Sequence, residues 1–111
     1  MTSEHLRTAL NEIRHPSSVR RTEAAAAIRD LTVDLAGLLP AVAGVLVVSA
    51  LIETEKKAYE QMLFTLVELS VHSPIPSSVL APLRDIKASY EWEAEYIQDI
   101  LENASYGANV D

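Results

Sequence analysis

Apolar residues recur every three or four positions along most of this chain, the period of an amphipathic helix and not of a strand. Between 53 and 72, Ala58, Met62, Leu66 and Leu69 share a face, and Tyr59, Leu63 and Val67 widen it. Glu55, Lys56, Glu60 and Glu68 fall opposite. Between 17 and 34, Ala24, Ala27, Ile28 and Leu31 form the stripe, against Arg20, Arg21, Glu23 and Asp30. Breaks separate these patterns: HPSS at 15–18, Gly37 before Pro40, and SPIPSS at 73–78. The pattern predicts six helices, over 2–14, 17–34, 38–51, 53–72, 77–87 and 89–105. Residues 1–105 form one domain and 106–111 a frayed tail. Short breaks predict antiparallel neighbours, hence three helical hairpins in an all-α fold. Residues 45–48, Val-Leu-Val-Val, have β-branched character, but no turn chemistry isolates them and no alternating partner exists. Ser17 or Ser18, and Ser77 with Ser78, are expected to act as helix caps.

Residues 35–52 carry no charge, which raises the question of a membrane span. The run sits at the lower limit of length. Pro40 and Gly44 interrupt it, and its flanks are Asp34 and Glu53, with neither a basic nor an aromatic anchor. A central buried helix is the expectation, and no membrane partner.

The six helices read as three repeated pairs. When Leu31 is set on Leu69, Ile28 falls on Leu66, Ala25 on Leu63 and Ala24 on Met62. In a third copy Ile97 falls on Leu66 and Ile100 on Leu69. A more apolar helix precedes each of the last two copies, LLPAVAGVLVV in one case and SSVLAPLRDI in the other. With Leu39-Pro40 in the first type of helix and Val19-Arg20 in the second, the arrangement resembles HEAT-type α-solenoids. Lys57 and Glu91 depart from that pattern, standing where a valine is expected. The resemblance implies a HEAT-like solenoid; a compact six-helix bundle fits the same periodicity.

Charge changes the picture at one end only. The formal net charge is −7. Residues 1–37 are neutral and 38–88 carry −1, whereas 89–111 carry six acids and no base. Wound as a helix, the last segment gathers Tyr90, Ala94, Ile97, Ile100, Leu101 and Ala104 on its core side. Glu91, Glu95, Asp99 and Glu102 gather opposite, with Trp92 and Tyr96 on the border. Like charges one turn apart repel, and acids late in a helix oppose its dipole, so local stability does not favour this composition. Carboxylates beside border aromatics have the make-up of a polar-rimmed docking surface. The partner-binding residues are therefore expected to be Glu91, Trp92, Glu95, Tyr96, Asp99 and Glu102.

Candidate chemistry is sparse. No phosphate loop, nucleophile elbow, HExxH or calcium loop is present, and no catalytic residue is predicted. There is no cysteine, so neither disulfides nor thiolate metal sites arise. Glu68 and His72 share ligand spacing, but a cation at a helix C-terminus is explained by the dipole. No metal and no cofactor are expected. His5 and His15 lie among polar residues and read as solvated. The opening MTSEHLRTALNEIRH has no apolar run and does not fit a signal peptide. A cytoplasmic location is the default for such a chain.

An acidic surface repels nucleic acid and steers basic proteins. The expected function is a non-enzymatic domain that captures a basic protein partner. In class it looks like the immunity proteins that neutralise bacterial toxins, and that likeness implies a toxin domain as partner. The alternative is a small solenoid scaffold that self-associates or binds a peptide in its groove, along second helices bearing Arg20 and Lys56.

Overall fold

The computed structural model describes residues 2–31, 38–72 and 75–108, with side chains from 4 to 104. These residues hold helices α1 (Thr2–Glu12), α2 (Ser18–Asp30), α3 (Leu39–Ile52), α4 (Lys56–His72), α5 (Ser77–Leu80) and α6 (Glu91–Ala108). A 3-10 turn, Ala81–Asp85, extends α5. The described residues contain no strand, so the all-α expectation holds, and residues 45–48 lie inside α3.

Local chemistry accounts for where the helices differ from the periodic reading. Helix α2 runs to Asp30, with the Leu31 N–H bonded back to its last turn; residues 32–34, to which the pattern extends it, lie outside the described residues. Gly37 and most of the break before α3 lie outside the described residues, as do Ser73 and Pro74. The fifth helix tightens after one turn because Pro82 has no N–H and crowds the preceding carbonyls. Helix α6 continues to Ala108, past the point where a frayed tail was expected. The serine caps do not form. Ser17 occupies the N-cap of α2, but its hydroxyl makes no capping bond. Pro76 holds that position for α5, which leaves Ser77 and Ser78 exposed inside the first turn.

Helix α4 is the hub. It packs against α2, α3 and α6, while α1 packs on α2, and α5 on both α3 and α6. Second helices thus lie side by side in the order α2, α4, α6, each against the helix that precedes it. The dimensions, 36 × 34 × 18 Å, are those of a slab two helices deep. Met62, Leu63, Leu66 and Leu69 of α4 are fully buried, together with Ala25 and Ile28 of α2 and Ile100 of α6. In α2 the buried trio is Ala24, Ala25 and Ile28; Ala27, placed in the stripe by periodicity, is exposed. Polar stitches cross the layer. The Thr65 hydroxyl donates to the Ala25 carbonyl at 2.8 Å, and Asn103 Nδ2 donates to Ser70 Oγ at 2.9 Å.

Helix α3 has 14 residues and spans about 21 Å, short of a bilayer core of about 30 Å. No helix among the described residues is long and apolar enough to cross a membrane. One side of α3 is buried through Val42, Ala43, Leu46, Val47 and Ala50. The other leaves Val48, Leu51 and Ile52 exposed, Ile52 by 73%.

A largely buried ion pair, with Glu53 enclosed and Arg21 partly exposed, fastens the first two hairpins. Arg21 grips the Glu53 carboxylate with both arms, Nε to Oε1 at 2.7 Å and Nη2 to Oε2 at 2.9 Å. Its third nitrogen donates to the carbonyls of His15 and Pro16. Glu53 Oε2 also accepts the N–H groups of Thr54 and Glu55, which open the turn into α4. Burial pushes the Glu53 carboxyl up, but Arg21 and those two N–H groups outweigh it and hold it below the usual carboxylate range. His15 is part of the same corner rather than solvated: its Nδ1 accepts the Ser17 N–H at 2.9 Å.

Candidate interaction face on the last helix

Helix α6 begins where a chain leaving the 3-10 turn meets α4. Its first N–H groups need acceptors, and Glu91 and Glu93 suit the positive end of the dipole. Glu93 turns inward. Its Oε1 accepts the backbone N–H of Ser89 at 2.7 Å and of Tyr90 at 3.3 Å. Its Oε2 accepts the hydroxyl of Tyr59 on α4. Burial, reinforced by this bond to a carboxylate, raises the Tyr59 pKa well above that of free tyrosine.

This corrects the helical reading of the core side. Ile97, Ile100 and Ala104 are buried and Leu101 is half-buried, as periodicity requires. Ala94 is exposed, and Tyr90, which precedes the helix, is 41% exposed. The buried position in the first turn belongs to Glu93, only 4% exposed. It is tolerated there because all its bonds are satisfied.

The six residues expected to bind a partner divide into two groups. Glu91, Glu95, Asp99 and Glu102 are all exposed. The ion pairs found among the described residues, Arg20–Glu12 and Arg21–Glu53, involve none of them. Glu102 accepts a hydrogen bond from Gln98 at 2.9 Å. Trp92 and Tyr96 are half-buried and anchor a run of aromatic rings along the α4–α6 seam. Tyr90 stacks on Trp92 with centroids 5.2 Å apart and planes 11° off parallel. Trp92 meets Tyr96 at 5.7 Å and Tyr59 at 6.1 Å, and Tyr96 stacks on Phe64 at 5.8 Å. Five of the six aromatic residues of the chain thus form one contiguous cluster. A cation sits at each end: Lys56 Nζ lies 4.7 Å from the Tyr90 ring centre, and the Arg29 guanidinium 4.8 Å from that of Phe64. Arg29 also donates to Gln61 at 2.8 Å.

The result is an acidic strip whose rings are held in fixed orientation. Glu68 and His72 lie one turn apart near the end of α4, and no group of three or more such ligands forms among the described residues. Sequence reasoning missed Glu93, Lys56 on Tyr90, and Arg21 on Glu53. A signal did exist. Links between successive hairpins recur at similar separations, 32 residues for Arg21–Glu53 and Arg29–Gln61, 33 for Ser70–Asn103 and 34 for Tyr59–Glu93. The chain matches no known family, no curated protein and no solved structure.

Proposed function

We propose that this domain binds rather than catalyses, and that it captures a basic protein through the outer face of α6. The supporting observation is that Glu91, Glu95, Asp99 and Glu102 are exposed and make no ion pair among the described residues, beside Trp92 and Tyr96, whose rings are held by stacking. Fixed aromatics lose little conformational freedom on binding, and unpaired carboxylates accelerate encounter with a cationic surface. A nucleic-acid-binding protein, such as a toxin nuclease neutralised by a dedicated inhibitor, supplies such a surface. The HEAT-like reading of the three hairpins is proposed on the same footing, from the side-by-side order of α2, α4 and α6. The test compares immobilised wild-type domain with Glu95→Lys plus Asp99→Lys in retaining proteins from its native cell. Basic proteins held by the wild type at low salt should be lost from the variant, and association should slow as salt is raised. Equal retention by both forms sinks the α6 face.

A second reading, self-association as a small scaffold, draws on a different observation. Helix α3 carries no charge and exposes Val48, Leu51 and Ile52 on one side. Light scattering across concentration separates a dimer through this face from a monomer.

A further inference from the structure

Beside the acidic strip lies a cleft of about 300 Å³ between the α3–α4 turn and the start of α6. Its walls include Glu53, Glu55 and Glu93, the rings of Tyr59 and Tyr90, and Lys56. Two of the three carboxylates already serve internal partners: Glu53 is held by Arg21 and its own turn, and Glu93 by Tyr59 and the helix start. Glu55 is exposed and lines the cleft, where its carboxylate makes no internal hydrogen bond among the described residues, although its charge also acts on Arg21. The ring of Tyr90 is held nearly parallel to Trp92, and its face already carries a cation, the ammonium of Lys56. Lys56 is itself exposed, so it sits on that ring without being enclosed.

We propose that this cleft is a subsite for one cationic side chain of the basic partner, an arginine or lysine that replaces Lys56 on the Tyr90 ring and pairs with Glu55. The proposal rests on the partner being basic and names where its leading cation docks. Chemistry favours the exchange. An arginine stacks on an aromatic face better than an ammonium and can engage a carboxylate with both arms. Lys56, released, remains in water at small cost. The sole tryptophan, Trp92, stacks directly on Tyr90, so occupancy is visible in its emission.

A hexa-arginine peptide is titrated into the full chain at low salt, read by Trp92 fluorescence and by backbone NMR shifts. The expected result is a saturable change whose largest shifts lie at Lys56 and Tyr90. Removing the resident cation with Lys56→Ala should tighten binding by about two- to fivefold, the equivalent of one exposed cation–ring contact. Lys57→Ala makes the same charge change one residue away, off the ring, and should tighten it less. Tyr90→Leu and Glu55→Gln should each weaken it. Equal tightening by Lys56→Ala and Lys57→Ala overturns the subsite. So does binding that is lost in Glu95→Lys plus Asp99→Lys yet indifferent to Tyr90→Leu, an outcome that leaves the α6 face standing. No saturable binding by the wild type overturns both.

Discussion

Truncating Arg21 to alanine is the sharpest test of what holds the first two hairpins together. The substitution strips two charge-assisted hydrogen bonds, at 2.7 and 2.9 Å, from a Glu53 side chain that is only 2% exposed. It also deprives the His15 and Pro16 carbonyls of a donor. Leaving one member of a buried pair unpartnered costs about 3–5 kcal/mol. Arg21 itself is 19% exposed, so water enters the gap and the lower end, about 3 kcal/mol, is expected. For a domain of this size that corresponds to a fall in Tm of about 12 °C. Urea unfolding followed by circular dichroism measures the first quantity and a thermal scan the second. The loss should depend on pH with a definite sign. The Glu53 pKa is depressed in the folded protein, so its contribution is present above the unfolded value of 4.5 and disappears as pH falls through the lower folded value. The gap between wild type and variant should therefore be widest near neutrality and shrink in acid. Arg21→Lys, which keeps the charge but not the two-armed grip, should fall between them. A loss under about 1 kcal/mol at neutral pH, or a gap that ignores acid, would refute the assignment of this pair as a structural clamp.

Three further outcomes are expected. Tyr59 should ionise only above the range of free tyrosine, so its stabilising contribution is intact below pH 10 and lost as pH rises through the folded value; Tyr59→Phe should remove the late component from an ultraviolet titration. Gly44→Ala should stabilise the domain by about 0.5–1 kcal/mol in urea. It sits within α3, where a new methyl meets nothing nearer than Val79 Cγ1 at 4.0 Å. Ile52→Lys should change stability by less than about 0.5 kcal/mol, because the side chain is 73% exposed. It should also abolish any concentration-dependent association through α3, as read by light scattering.

The helices were legible because burial follows periodicity wherever the buried residue is apolar. The register that set Ala24 on Met62 and Ile28 on Leu66 selects residues that are buried, except Leu31 at the end of α2, which is half-buried. The same rule fails at α6, where Glu93 takes the place in the first turn that periodicity gave to Ala94. A carboxylate is counted as polar until its acceptors are matched with donors, and those donors come from Tyr59, 34 residues earlier, and from the chain just before the helix. Arg21 falls among the polar residues opposite the α2 stripe, and nothing local marks its partner, because Glu53 lies 32 residues on, at the end of an apolar run. The exposed acids of α6 were legible because no ion pair among the described residues alters them. The ring contacts that immobilise Trp92 and Tyr96 involve Tyr59 and Phe64, which the sequence places beside a core stripe without naming their neighbours.

The central position of α4 governs how a disturbance travels. The α1–α2 hairpin and α6 each rest on α4, with no extensive contact of their own. Mechanically the domain is three links in series, so loosening at one edge reaches the other only if α4 yields. A load on α6 is thus felt first along α4, through residues such as Tyr59, Phe64 and Ser70 that bond to it or stack on it. Amide hydrogens at the two edges should exchange ahead of those in α4, which open last and together. Docking on α6 would then slow exchange along α4 and leave α1 nearly as labile as before.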